Sequence, residues 1–342
     1  FRLAEVEKIN SETNEVITSE GVIHFDYLIV ATGCKTNYFG NENLQKYAWP
    51  MKTTLEAIEI RNRLLLNFEH MLSNDEDDRE GFLNILIVGA GPTGVEMAGA
   101  LAELRMNILP KDYPHVDFSK LRIILVGGSK FTLPSMSDVA QKASRKYLDE
   151  LGVELITETY ITDYNGKFAT LSNGSTIKTM NVIWAAGVTG NLLDGINTTS
   201  VMANRYIVDR FNKIQGYNNI YAIGDICLMK TPNYPNGHPQ LANVAINQGK
   251  NLATNFLNMI ANKPLDEFEY RDLGSMATIG KHKAVVDLPF FKFKGYIAWF
   301  IWMFLHLMLI LSVKNRLIIF VNWAWSYFTK DSSLRLILKS KT

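Results

Sequence analysis

The chain has 342 residues, 47% of them hydrophobic and 20% charged, which is enough for two globular domains with sizeable cores and a third small one. Lys and Arg number 35 against 34 Asp and Glu, and the resulting net charge of +1 gives no handle to nucleic acid or to a strongly acidic substrate. The two cysteines, Cys34 and Cys227, form no pairing motif, which speaks against a disulfide framework and for a reducing, cytoplasmic setting.

The text opens on Phe1 and reads at once as strand and turn, so the chain is expected to be a fragment whose N-terminal part is missing, with a processed N-terminus as the alternative. Three short apolar runs ended by glycine, at 27–31, 84–88 and 121–126, have the character of buried parallel strands. The charge run at 74–80 reads as a solvated loop. A helix is expected over 94–104, then an insertion at 106–120, then a second helix over 139–151 stopped at Gly152. Residues 162–179 have the rhythm of a hairpin, with turns at Asn165-Gly166 and Asn173-Gly174. Strands follow at 182–186 and 220–223, and a helix at 242–260. From 271 onward eleven Lys and Arg face three acids, a local net of +8. Within that basic tail, residues 295–313 carry no formal charge, and a second apolar stretch runs over 317–328.

Gly89-Ala90-Gly91-Pro92-Thr93-Gly94 fits the pattern G-x-G-x-x-G, and it follows an apolar strand and opens a helix, the context that makes the pattern informative. Gly89 permits the tight turn, Gly91 lets the backbone approach a pyrophosphate, and Gly94 lets helix and strand pack closely. The phosphates of a nicotinamide dinucleotide would then lie on the N–H groups of the helix start. The fingerprint expects an acid at the end of the next strand to take the ribose 2′-hydroxyl. Here that place is Gly127, followed by Gly128-Ser129-Lys130, so NADH preference does not follow, NADPH is not excluded, and Ser129 and Lys130 suit a 2′-phosphate.

Two more motifs point to a second nucleotide. Ala31-Thr32-Gly33 ends one strand, and Gly224-Asp225 ends another, where an aspartate suits a sugar or polyol hydroxyl near a diphosphate. With the turn at Gly89 and Trp184-Ala185-Ala186-Gly187-Val188, these motifs resemble the flavoproteins with two dinucleotide-binding domains, an α/β class of glutathione-reductase-like Rossmann domains. Within that class the chain most resembles the type II, non-proton-pumping NADH:quinone oxidoreductases. Glu96 lies just after the turn, residues 239–249 resemble that family's A-Q-x-x-x-Q helix, and Gly274 to Lys281 with Asn322 to Tyr327 are similar to its membrane-binding end.

The resemblance implies FAD and NADH as cofactors and a quinone as electron acceptor. It implies part of an FAD-binding domain at 1–55, a nucleotide domain at 56–190, a return to the FAD domain at 191–270 and a helical membrane-docking region at 271–342. Nicotinamide dinucleotide would meet Gly89 to Gly94, Gly127, Ala186 and Gly187. FAD would meet Ala31, Thr32, Gly33, Gly224, Asp225, Ala242 and Val244. Glu96 is the implied catalytic side chain, at the nicotinamide–flavin junction; without the resemblance it also reads as an ordinary acid of a helix's first turn.

Two departures stand out. The family's first G-x-G-x-x-G, which binds FAD, is absent and is expected upstream of Phe1. The A-Q-x-x-x-Q pattern reads Ala242-Asn243-Val244-Ala245-Ile246-Asn247, so Asn243 and Asn247, each one methylene shorter than glutamine, stand in the quinone vicinity.

The 19 residues at 295–313 are long enough to cross a bilayer, but flanking Lys292, Lys294, Lys314 and Arg316 with several tryptophans suit the interface. The resemblance favours peripheral docking on the cytoplasmic face of the cell membrane, and a homodimer is compatible with it. His306, inside that run, reads as a packed or interfacial histidine. No His/Cys cluster has metal spacing, so no metal is expected. The competing enzyme is a sulfide:quinone reductase or related disulfide oxidoreductase, which would need Cys34 and Cys227 near the flavin. The competing non-enzyme is a membrane-docked NAD(P)H-sensing flavoprotein similar to apoptosis-inducing factor.

Overall fold

In the computed structural model, which describes residues 1–73, 76–310 and 312–329, the apolar run Asn84–Val88 is the central strand of a five-stranded parallel sheet. Asn181–Trp184 and then Trp49–Pro50 lie on one side of it, Arg122–Val126 and then Glu154–Ile156 on the other. Successive residues of a strand face opposite ways, and each face here has its own core. Ile85, Ile87, Ile123, Leu125 and Ile183 join one cluster, and Leu86, Val88, Ile124, Val126 and Val182 the other. Most of these side chains are fully buried, each stabilising the fold by roughly 1.5–3 kcal/mol. The helices Pro92–Asn107 and Asp138–Glu150 contribute Val95, Ala98, Leu101 and Ala140 to the first cluster.

This sheet belongs to a compact unit of residues 38–187 together with the tail from 273. The tail enters it as a three-stranded antiparallel sheet, Ser275–Thr278, Ala284–Asp287 and Lys292–Gly295, whose Ala277 and Val285, with Ile279 just beyond the first strand, complete the first core cluster. The expected hairpin is a three-stranded meander, Ile161–Tyr164, Phe168–Leu171 and Thr176–Lys178, with Gly166 and Gly174 at positive φ in its turns.

The other unit comprises residues 1–37 and 188–272. Its core gathers Ile9, Val30, Tyr206, Ile220, Ala222 and Val244. Leu28–Val30 runs parallel to Ile220–Ala222, Cys34–Thr36 pairs antiparallel with Val188–Gly190, and the helix Ala242–Ile260 has the bounds expected from the sequence.

Three expectations change. The strand at 27–31 is only half buried: Val30 is in the core but Ile29 is 44% exposed, because among the described residues the strand has one neighbour. The charge run at 74–80 is not wholly loop. Residues 74 and 75 lie outside the described residues, but Glu76–Leu83 is a helix whose Phe82 and Leu83 are buried and whose Asp78 pairs with Lys167 at 2.6 Å. The opening segment of the first unit ends at Asn37, and beyond it Tyr38 packs on Trp184 and Asn41 donates to the Thr162 carbonyl.

The uncharged run at 295–313, finally, is not one helix. Gly295 closes a strand at φ 75°, the helix Tyr296–Leu309 follows, Ile310 is extended, and a second helix, Val313–Thr329, begins after the break. The guanidinium of Arg316 donates to the Ile310 carbonyl at 2.7 Å and so satisfies the backbone at the break. Fourteen residues span about 21 Å of helix against an apolar bilayer core of about 30 Å. Among the described residues no helix is long and apolar enough to cross a membrane. Leu311, the basic positions 330, 335, 339 and 341, and the side chains of Ser326 and Tyr327 lie outside the described residues.

Candidate nucleotide, flavin and quinone sites

The nucleotide turn sits at the carboxyl end of the central strand. Gly89 has φ 110°, and a Cβ there would stand 2.6 Å from the Ala185 carbonyl oxygen. At Gly94 a Cβ would meet the Gly89 oxygen, so the helix can pack this close to the strand only without a side chain. Gly91 is the N-cap and has open space in front of it, with Pro92 as the first helical residue. No side chain caps this helix start, so the N–H groups of its first turn stay available to an anion. A cavity of about 530 Å³ opens in front, lined by Gly89, Gly127, Gly128, Thr159 to Thr162, Trp184 and Ala186. With open space at Gly91 and an uncapped helix start, the residues fit a dinucleotide diphosphate.

The geometry also explains Gly127. A Cβ there would stand 2.5 Å from the Cβ of Ala90, so the turn itself leaves no room for an acid at this place. Gly187 has φ 79° and faces the ring of Phe39, where a Cβ would stand 2.8 Å from Cζ. Tyr38 and Phe39 line the same cavity, and sequence reasoning missed them. Their signal was the aromatic pair before Gly40, between two apolar strands. Phe39 takes a left-handed φ of 53° and stays 70% exposed, a conformation uncommon for an aromatic residue.

Glu96 lies in the second turn of the helix, not the first, so it is not a dipole-favoured first-turn acid. Its carboxylate accepts from the Thr278 backbone N–H at 3.1 Å and faces the Thr278 hydroxyl at 3.5 Å. Burial raises its pKa above the ordinary carboxylate value, and the Thr278 hydrogen bonds and the His306 imidazole oppose that rise. His306 is exposed on the first tail helix, its Nδ1 2.8 Å from the Trp302 carbonyl and its ring stacked on that of Trp302. A carboxyl that retains its proton more readily than usual is suited to giving one up to an acceptor.

The flavin-side motifs lie in the first unit. Thr32 donates to the Asn191 carbonyl at 2.7 Å, and Gly33, at φ 66°, faces open space. Gly224, at φ 75°, donates its N–H to Gln248 at 2.7 Å. Asp225 lies in a single tight turn, Gly224–Ile226, that leads into the short strand Cys227–Met229. Its carboxylate accepts from the Cys34 thiol at 2.9 Å, and its backbone carbonyl accepts from Gln240. The helix that starts at Ala242 has no side-chain cap at Leu241, and in the same unit the Arg205 Nε is buried without an acceptor. Those orphaned donors, with the open space at Gly33, fit a bound sugar–diphosphate.

Val244 points into the core and offers only its backbone. Asn243 is exposed and Asn247 half-buried, while the next residue, Gln248, is a fully buried amide that sequence reasoning passed over. Neither cysteine is part of a disulfide; Cys227 is buried against Gln248, and its thiol is pushed up to about 11 by desolvation. A thiol so protonated is a poor nucleophile, which speaks against sulfide chemistry.

Comparison with known proteins accords with this geometry. The family pattern described as pyridine nucleotide-disulphide oxidoreductase matches residues 1–249, and that of the NDH2 C-terminal domain matches residues 273–330. The chain is 34% identical over 322 residues to the type II NADH:quinone oxidoreductase Ndh of Mycobacterium tuberculosis, covering 89% of this chain and 67% of that protein. It is 32% identical over 289 residues to the type II NADH:quinone oxidoreductase of Staphylococcus aureus, covering 83% and 71%. In fold it is similar to NDH2 of Plasmodium falciparum, solved with NADH, with a TM-score of 0.88 at 22% identity, covering 98% of this chain and 85% of that one. The likeness to the sulfide:quinone oxidoreductase of Aquifex aeolicus is looser, with a TM-score of 0.69 at 18% identity over 96% of this chain and 79% of that one. The chain belongs to the type II, non-proton-pumping NADH:quinone oxidoreductases, within the pyridine nucleotide-disulphide oxidoreductase fold.

Proposed function

We propose that this chain oxidises NADH on the turn from Gly89 to Gly94 and delivers the electrons to a quinone at a membrane surface, with Glu96 as the proton-handling side chain. The observation that carries this reading is the double role of one helix. Its uncapped start follows directly on Gly89, which lines the cavity, and one turn further Glu96 is hydrogen-bonded to the tail sheet. FAD, when bound, supplies the two-electron step between nicotinamide and quinone. The chain's own residues do the rest. Gly89, Ala90, Gly91, Pro92, Thr93 and Gly94 hold the dinucleotide's diphosphate, and Gly127, Ala186 and Gly187 border its sugars and nicotinamide. Ala31, Thr32, Gly33, Gly224, Asp225 and the backbone at Ala242 and Val244 hold FAD. Asn243 and Asn247 stand on the first turns of their helix as amide partners for a quinone.

The tail meets lipid through exposed apolar side chains. Its first helix exposes Ile297, Phe300, Phe304 and Leu309, its second Val313, Leu317, Phe320 and Val321. Lys292, Lys294 and Lys314 flank them, which suits an anionic leaflet. Docking is peripheral, on the cytoplasmic face. Steady-state oxidation of NADH by a soluble quinone, on full-length FAD-loaded protein, tests the reading. Turnover that falls when Glu96 becomes Gln supports it, and absence of NADH-dependent quinone reduction overturns it.

A further inference from the structure

The missing acid at Gly127 leaves open what reads the ribose edge of the bound dinucleotide. The strand pairing supplies an answer. Arg122–Val126 and Glu154–Ile156 run parallel, and their hydrogen bonding continues past both strand ends. Gly127 donates to the Ile156 carbonyl at 2.9 Å, and Thr159 donates to the Gly127 carbonyl at 3.1 Å. Between them, the Glu158 N–H donates to the Ser129 carbonyl at 3.2 Å. Glu158 therefore sits on the neighbouring strand's loop, between the two residues that bond to Gly127, the place where the fingerprint puts its acid. It is exposed, and its neighbours Thr159 and Tyr160 line the nucleotide cavity. Its backbone is left-handed, with φ 54°, a conformation that costs a glutamate energy and that glycine would adopt without strain.

A 2′-phosphate would need a cation, and among the described residues no Lys or Arg lines this cavity. Lys130, the cation nearest in sequence, has its ammonium over the Phe131 ring, 5.5 Å from the centroid. We propose that Glu158, from the neighbouring strand's loop, replaces the displaced acid. Its carboxylate accepts from the ribose hydroxyls of NADH and repels the 2′-phosphate of NADPH. This rests on the proposed seat of the dinucleotide at the Gly89 turn.

The test compares kcat/KM for NADH and NADPH with a soluble quinone, on full-length FAD-loaded protein, for the native chain, Glu158→Gln, Glu158→Gly and Lys130→Ala. Titration calorimetry with AMP and with adenosine 2′,5′-bisphosphate reads the same discrimination without turnover. The native chain is expected to favour NADH and AMP. Both Glu158 variants should narrow that preference about tenfold, the scale of one charge-assisted hydrogen bond. They should do so through KM rather than kcat, with Glu158→Gly no less stable than the native chain. Lys130→Ala should leave the preference unchanged. A native chain indifferent to the 2′-phosphate, an unchanged ratio in Glu158→Gln, or a loss of NADPH use in Lys130→Ala overturns the assignment to Glu158 while leaving the Gly89 seat intact. If none of these nucleotides binds, the seat itself falls, and Glu158 with it.

Discussion

The backbone N–H of Thr278, in the tail sheet, donates to the carboxylate of Glu96, in the nucleotide helix, across 3.1 Å. The bond joins the helix that follows the glycine turn to the tail, and it satisfies a carboxylate that burial would otherwise leave costly. Packing reinforces the joint: at Gly99, one turn beyond Glu96, a Cβ would meet the backbone nitrogen of Gly280.

Glu96→Gln separates chemistry from stability. The amide oxygen still accepts from Thr278, but no proton can be given up, and quinone turnover is expected to fall about 100-fold with NADH affinity little changed. The folded-state pKa lies above the ordinary 4.5, so Glu96 adds stability below that value and loses the contribution as pH rises through its folded pKa. Urea midpoints of the variant should therefore gain on those of the native chain as pH rises from 4.5. Undiminished turnover would remove Glu96 from the mechanism, and a constant gap in midpoint would remove its titration.

Gly94→Ala tests the close approach of helix and strand. The added methyl would collide with the Gly89 carbonyl oxygen, so the turn must open. The expected cost is about 1–3 kcal/mol or more, a drop of several degrees in Tm, together with loss of nucleotide binding. Gly128→Ala is the control, since its Cβ meets nothing within 4 Å and its stability should stay within about 0.5 kcal/mol of native. Equal behaviour of the two variants would contradict the packing account.

These elements were unequally legible in the sequence. The central strand, the glycine turn and the helix at 242–260 could be read because local signals, an apolar run ended by glycine and a 3.6-residue period, coincide with the tertiary arrangement. Phe39 and Glu158 could not, because both take left-handed backbone that sequence assigns to glycine or asparagine. Gln248 was passed over for Asn247 because only burial separates adjacent amides. The tail misled for another reason. An uncharged run of 19 residues carries no mark of the break at Ile310, whose carbonyl is satisfied by the guanidinium of Arg316 six residues on.

The tail's docking can be tested at Phe304, which is 59% exposed on the first tail helix, so that its replacement costs the fold little. Burying a phenylalanine in the lipid interface is worth roughly 1.5–3 kcal/mol. Phe304→Glu should therefore weaken co-sedimentation with phosphatidylglycerol-containing vesicles by about tenfold or more, while soluble-quinone turnover persists. Vesicle binding should also weaken with added salt, through Lys292, Lys294 and Lys314. Binding unaffected by both the substitution and salt would place the lipid contact elsewhere.

His238 gives the first unit its own pH dependence. The ring is 1% exposed, packed edge-on against Tyr234 and Phe268, with Thr231 3.4 Å from Nε2 and Nδ1 without a partner. Desolvation pushes its pKa below the ordinary 6.5; Glu269 opposes the shift, and Arg205 and Arg210 add to it. The unfolded chain then binds the proton at a higher pH than the folded one. The stability held by the neutral ring is full above pH 6.5 and is lost as pH falls from there toward the depressed folded value. Urea midpoints of the native chain should drop between pH 7 and pH 5.5. His238→Asn should start lower, having lost the ring packing, but fall less over the same interval. Parallel curves for the two proteins would show that another group titrates.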